Sequence, residues 1–438
     1  VVAHRPFSDM QRKHLFPSTP LVFSLTLIQK LIFNYNQGLH LNNIFLLTVF
    51  QPHSHIFFIC SFLDIDLYCL YRFSLTVMVF VNYGGGGYWF FQHAPWNGLT
   101  VADLVMPWFV FVIGTSVVLA FSSMQRRGVS RLQLLRKITW RTVVLLLLGF
   151  CFLNYSPKDG PLSWSWLRIP GVLQRLGFTY FVLSLLQTFW GQKEIPLTAV
   201  SSSDILLYWP QWLIIILLET LWLCLTFLMP VPNCPTGYLG AGGIGDNGLY
   251  PNCTGGAAGY IDRWMFGDNM YRYPTCKEMY RTTQPFDPEG VLSTINSIVI
   301  GFLGMQVRSK FLLYDAVSGM SAILSKCTRD GGFIPVNKNL WSLSYIMCMG
   351  CLSFLLLGGM FFVVDIKGWW GGQPFIYPGM NSIFVYVGHS LLGFYFPFSW
   401  EMRFQQSHWE WLFQSLWGTA LWLLIAYLLY RKKFFLKI

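Results

Sequence analysis

Runs of about twenty mostly apolar residues recur along this chain, and each is long enough to cross a bilayer as a helix. Within the runs, backbone polar groups have no water to bond, and a helix satisfies them internally. Nine fall near 67–83, 100–122, 140–155, 171–190, 208–230, 290–307, 341–364, 376–396 and 410–430. A shorter tenth, 311–326, carries Asp315. The expected fold class is an all-α polytopic membrane protein, a bundle of about ten transmembrane helices. Composition agrees: 11% of residues are charged, against about 25% in soluble domains, too few to coat a globule. A soluble enzyme and a nucleic-acid binder are excluded.

The net charge of +11 would suggest nucleic acid in a soluble protein. Here the basic residues gather in short loops between apolar runs, as the positive-inside rule expects. Arg126, Arg127, Arg131, Arg136 and Lys137 put the loop after 122 in the cytosol. Alternation then places 83–99, 156–169 and the long 231–289 loop on the opposite, luminal face. The basic tail RKKFFLKI returns to the cytosol only if 311–326 also spans.

Two sequons, at Asn154 and Asn252, fall on the expected luminal side and read as N-glycosylation sites. The 231–289 loop holds Cys234, Cys253 and Cys276. An odd number in an oxidising compartment suggests one disulfide, with Cys234–Cys253 the first pairing to consider. The ten cysteines are scattered, with Cys348 and Cys351 inside a span where they read as small packing residues, and no metal site is expected. Gly240, Gly242 and Gly245 satisfy GxGxxG but lie in a loop without the flanking strand and helix, so the dinucleotide reading fails. Residues 1–66 hold five of the eight histidines and no clean span or signal sequence. They are expected to be a disordered or non-native segment ahead of a transmembrane domain over 67–438. The chain begins with Val rather than Met, as a fragment would.

Polar residues inside spans are costly and mark functional sites by default. They are Asn82, Asp103, Gln174, Arg175, Glu219, Asn296, Asn381 and His389, each with an interhelical hydrogen bond as the plainer alternative. Asp103 reads as a first-turn carboxylate favoured by the helix dipole. The segment 81–100, VNYGGGGYWFFQHAPWNGLT, is distinctive: a span ends in Asn82, four glycines permit a tight reversal, and aromatics precede His93. A histidine at the mouth of a bundle can act as base or nucleophile, or merely cap the next helix. Arg168 and Arg175 lie seven residues apart with Gln174 beside them, suiting an anionic ligand or a carboxylate partner.

Seven stretches carry a resemblance: the residues from Val81 to Ser116, GPLSWSWLRIPGVLQRLGFTYF, the loop from Pro230 to Arg263, DPEGVLSTINSIV, GFIPVNKNLWSLSY, YPGMNSIFVYVGH and the RKKFF tail. From about residue 74 onward the chain resembles the heparan-α-glucosaminide N-acetyltransferases, multi-pass enzymes of the lysosomal membrane. The resemblance implies transfer of acetyl from cytosolic acetyl-CoA to the terminal non-reducing α-glucosamine of heparan sulfate in the lumen, with His93 catalytic and Asn82 beside it. It also implies a homodimer. On chemical grounds the donor's phosphates are expected near Arg168, Gln174 and Arg175. Two departures stand out: residues 1–73 replace the family's luminal domain and first span, and the helix before GFIPVNKNLW is short. The alternatives are an inactive relative or isoform and a membrane transporter, the latter favoured by the glycine-rich break at a span end but lacking a visible inverted repeat.

Overall fold

A computed structural model describes residues 70–154, 164–191, 208–306, 310–402 and 407–436; the 1–66 segment, Arg308 and Lys437 lie outside them. The described residues are helical, with isolated bridges and no strands. In chain order the main helices are α1 (Leu70–Asn82), α2 (Val101–Arg126), α3 (Arg131–Leu148), α4 (Val172–Trp190), α5 (Trp209–Leu228), α6 (Gly256–Phe266), α7 (Val291–Met305), α8 (Lys310–Ser325), α9 (Leu343–Phe361), α10 (Ser382–Leu392) and α11 (His408–Arg431). Each apolar run in the sequence thus has a helix on it. The run at 376–396 is broken: Ile376–Met380 is a separate short helix, and Asn381 turns the chain before α10. Four segments are long and apolar enough to cross a membrane: Val101–Arg126, Trp209–Leu228, Leu343–Ile366 and His408–Arg431. Leu70–Asn82, Val291–Met305 and Ser382–Leu392 are apolar but shorter. This is an all-α, membrane-type protein.

The centre of the bundle is α2 against α7, flanked by α4 and α9. Close backbone approach there depends on glycine. A Cβ on Gly114 would lie 1.8 Å from the Gly301 carbonyl oxygen, and one on Gly304 would lie 2.0 Å from that of Phe111. Small residues at helix contacts give the van der Waals packing that association in lipid requires. Around the contact Val110, Phe111, Ile300 and Phe302 are fully buried.

Helix α2 starts at a half capping box, in which Asp103 Oδ2 accepts the Thr100 N–H at 3.1 Å. Pro107 lies inside the helix. Having no N–H, it leaves the carbonyl four residues back, that of Asp103, without its helical donor. The Tyr345 hydroxyl of α9 fills the vacancy, donating to the Asp103 carbonyl oxygen at 2.6 Å. Tyr345 is fully buried, so no water can substitute. Replacing Tyr345 with Phe is expected to cost about 1–3 kcal/mol, the penalty for an unsatisfied buried acceptor. Thermal unfolding in detergent should show it as a lowered Tm, while Phe at Tyr180, a buried ring whose hydroxyl fills no such backbone vacancy, should change little.

Candidate active site

The turn between α1 and α2 is built to reverse tightly. Gly84, Gly85, Gly86 and Gly87 all have positive φ, a region that residues with a Cβ seldom enter. The reversal is pinned to α11: Ser415 Oγ donates to the Tyr83 carbonyl at 2.9 Å, His408 Nδ1 donates to Gly86 O at 3.1 Å, and the His408 ring stacks on Tyr88. Beyond it the chain is anchored to the 231–289 segment, where Trp96, almost fully buried, donates from Nε1 to the Leu239 carbonyl at 2.9 Å. Cys276 Sγ meets the Pro95 carbonyl close by.

His93 sits between these anchors. Its side chain is 52% exposed, whereas that of Asp103 is fully buried. His93 Nδ1 lies 2.9 Å from Asp103 Oδ1. The other carboxylate oxygen receives the backbone N–H groups of Ala94 and Thr100, each at 3.1 Å. Asp103 therefore has two functions on one side chain: it caps the helix and orients the imidazole, leaving Nε2 on the exposed side. Dipole stabilisation alone accounts for the first; the second depends on the turn of Pro95 to Gly98 folding His93 back over the helix start.

Lys338 completes the cluster. Its Nζ is 2.7 Å from His93 Nδ1 and 3.3 Å from Asp103 Oδ1. Burial pushes the Lys338 amine below its ordinary value, while Asp103 and Glu289 pull it back up. The 335–342 segment delivers this lysine by pairing with the turn: Gly98 N–H donates to Val336 O at 2.9 Å, and the buried Asn337 donates from Nδ2 to Asn97 Oδ1 at 3.0 Å. Sequence reading passed over Lys338. Its signal was a charged residue between two asparagines, just ahead of the span that begins near 341.

Asn82 is exposed and donates to His389 Nε2 at 2.9 Å. His389, buried in α10, in turn donates from Nδ1 to the Val385 carbonyl at 3.0 Å. Asn82 thus bonds to His389 rather than to His93, and one of its two amide protons is already committed.

The arginine pair lands on carboxylates. Arg168 spans Asp287 with Nε at 2.9 Å and Nη2 at 2.5 Å, and Nη2 also meets Glu289 Oε2 at 2.5 Å. Arg175, nearly fully buried, lies 3.6 Å from Glu289 and 4.2 Å over the Trp341 ring. Two guanidiniums face two carboxylates, so the cluster is neutral. Burial alone would lower Arg168, but Asp287 and Glu289 outweigh it and hold the guanidinium above its ordinary value. Burial raises Glu289 likewise, and Arg168 with Arg175 overcomes it and lowers the carboxyl. Gln174 bridges Asn154 Nδ2 at 3.0 Å and the Leu146 carbonyl at 3.3 Å. Arg168 and Arg175 are thus already paired within the chain, so a phosphate bound here would have to displace a carboxylate.

Asn154 is buried, and its amide nitrogen donates to both Arg168 O and Gln174 Oε1. Asn252 is exposed and its Nδ2 makes no hydrogen bond among the described residues; Oδ1 accepts from Thr283 at 3.2 Å. A disulfide joins Cys234 and Cys253. Among the described residues no group of histidine, cysteine and carboxylate side chains could hold a metal.

The fold and this cluster define a class: an all-α membrane protein with a histidine–carboxylate–lysine site where a glycine turn meets the 231–289 segment. No family model matches the chain. It is similar to two curated proteins, both named heparan-alpha-glucosaminide N-acetyltransferase. The mouse protein is 53% identical over 386 residues, covering 83% of this chain and 59% of its own length. The human protein is 54% identical over 387 residues, covering 83% and 58%. The chain is a homologue of these proteins and spans just under three fifths of their length.

Asp262 of α6 adds a pH dependence. It is 2% exposed and accepts the Val291 N–H at 2.9 Å at the start of α7. Burial raises its carboxyl to about 7. The folded state therefore binds a proton that the unfolded chain releases near the ordinary carboxylate value, about 4. This contribution is full below pH ~4 and is lost as pH rises to ~7. The wild-type Tm should accordingly fall between pH 4.5 and 7.5 by more than that of Asp262→Asn, whose amide does not titrate.

Proposed function

We propose that this chain carries out acetyl transfer from acetyl-CoA to the terminal non-reducing α-glucosamine of heparan sulfate, with His93 as the base. The supporting observation is the His93–Asp103 pair, a solvent-facing imidazole held through Nδ1 by a buried carboxylate, in a homologue of proteins named for that reaction. A glucosamine amine attacks a thioester only when neutral. As its nitrogen forms the C–N bond, the proton it sheds passes to Nε2; the C–S bond breaks, and the imidazolium returns the proton to the departing thiolate. Asp103 stabilises the imidazolium meanwhile. In a two-step route His93 Nε2 attacks the thioester carbonyl first, the C–S bond breaks and coenzyme A leaves as its thiolate; the amine then attacks the acetylimidazole, breaking its C–N bond and freeing the ring. Asn82 retains one amide proton for the developing oxyanion.

The setting belongs to the same proposal: a multi-pass lysosomal membrane protein of about ten spans, with 231–289 luminal, the C-terminus cytosolic, lipid around the bundle and a homodimer as its assembly. His93, Trp96 and the disulfide-bearing segment gathered at one end support a luminal site. Asn252, exposed on that segment, is the proposed glycan carrier.

Purified in detergent and given acetyl-CoA with a fluorogenic α-glucosaminide, the chain should release acetylated product, and His93→Ala should reduce the rate by about 100-fold or more. Undiminished transfer in the variant removes His93 from the chemistry. For the donor, we propose that phosphate replaces Glu289 on Arg168, with Gln174 and Arg175 bracing the site. Glu289→Gln should then lower the KM for acetyl-CoA, because a competing charge is gone. An unchanged KM makes the cluster structural.

A further inference from the structure

Three polar atoms meet in a triangle at the inner edge of the His93 ring. Its sides are 2.9 Å from Nδ1 to Asp103 Oδ1, 2.7 Å from Lys338 Nζ to Nδ1, and 3.3 Å from Nζ to Oδ1. A ring nitrogen has one in-plane position, holding either a proton or a lone pair. Nδ1 can therefore donate to Asp103 or accept from Lys338, but it cannot do both. Asp103 itself does not force the choice. Oδ2 already accepts two backbone N–H groups, and the ammonium of Lys338 can supply Oδ1 whether or not the ring does.

We propose that Lys338 is a positioning residue that selects the tautomer of His93. The inference rests on the reading of His93 as the base of acetyl transfer. With the ammonium on Nδ1, the nearer of its two partners, the ring proton sits on Nε2 and the exposed nitrogen is a donor. With the ammonium turned wholly onto Asp103 Oδ1, Nδ1 carries the proton and Nε2 offers its lone pair. The first arrangement can polarise a carbonyl oxygen but cannot take a proton; the second can. Besides Asp103, the charged groups acting on Lys338 are Glu289, which holds it as a cation, and Arg175, which opposes that. Both belong to the neighbouring arginine–carboxylate cluster, so a ligand that disturbs the cluster also biases the lysine.

The arrangement has a chemical use. A half-exposed imidazole with a permanently free lone pair would activate water as readily as an amine. Water would add to the thioester carbonyl as its C–O bond forms, its proton would pass to Nε2, and the C–S bond would break to yield acetate and coenzyme A thiol. Keeping the proton on Nε2 until the acceptor arrives suppresses that loss. Lys338 reaches the ring because Asn337 is clamped to Asn97, so its placement is fixed by the fold and not by a flexible surface chain.

The test is the ¹⁵N NMR signature of histidine in the labelled full chain in detergent, with the His93 signals assigned by their absence in His93→Gln. Wild type should show Nε2 protonated and Nδ1 not; Nδ1-protonated wild type overturns the proposal without any variant being needed. Lys338→Met should move the proton to Nδ1, and Lys338→Arg should restore the wild-type pattern. Lys338→Met should raise acetyl-CoA hydrolysis, measured without acceptor, relative to acetyl transfer, measured with it, by about tenfold. An unchanged tautomer and ratio in a folded Lys338→Met protein would make Lys338 merely structural. The predicted tautomers without acetyl transfer by the wild type would instead refute the acetyltransferase reading and leave the role of Lys338 intact.

Discussion

A fully buried carboxylate must be bonded on every side or it is too costly to keep, and the satisfaction of Asp103 organises this end of the molecule. Its two oxygens draw in the backbone of Ala94 and Thr100, the His93 ring and the Lys338 amine. Its own carbonyl, stranded by Pro107, draws in Tyr345 from α9. One residue thus couples the turn after α1, the start of α2, the 335–342 segment and α9. The site is rigid because the groups that compose it are also what make the burial of Asp103 tolerable.

A second polar cluster, Arg168 and Arg175 with Asp287 and Glu289, joins the approach to α4 to the approach to α7. Buried ion pairs seldom add much net stability, since desolvation offsets the attraction, but they penalise any packing that leaves a charge unmatched. Here the penalty specifies register: α4 and α7 must enter the bundle at heights that let both guanidiniums reach their carboxylates. The cluster adjoins the first through Glu289, whose field reaches Lys338.

Much of the fold was legible in the chain. Apolar runs of span length gave the helices, because backbone groups in lipid have no other way to be satisfied. Four glycines in a row marked the reversal, and His93 stood out because so few ionisable residues accompany it. The break at Asn381 was passed over because the run as a whole is apolar, although Pro378, Gly379 and Asn381 are turn-forming residues. The sequon at Asn154 records three adjacent residues and nothing of burial; in the fold its amide nitrogen serves the Arg168 carbonyl and Gln174. The arginine spacing pointed correctly to a charged partner but could not say whether that partner was a ligand or the chain itself.

Sequence by itself determined the class of fold, the turn that exposes His93 and, through long shared motifs, the likeness to the acetyltransferases. These are local properties, set by hydropathy, by backbone freedom and by residue identity in order. Tertiary structure alone decided what the polar residues touch: Asp103 with His93 and Lys338, Asn82 with His389, Arg168 with Asp287 and Glu289. Lys338 is 245 residues from His93 along the chain, and no periodicity spans such a distance. Those pairings follow from which helices pack together, and that is settled by the close glycine contacts and buried side chains of the whole bundle at once.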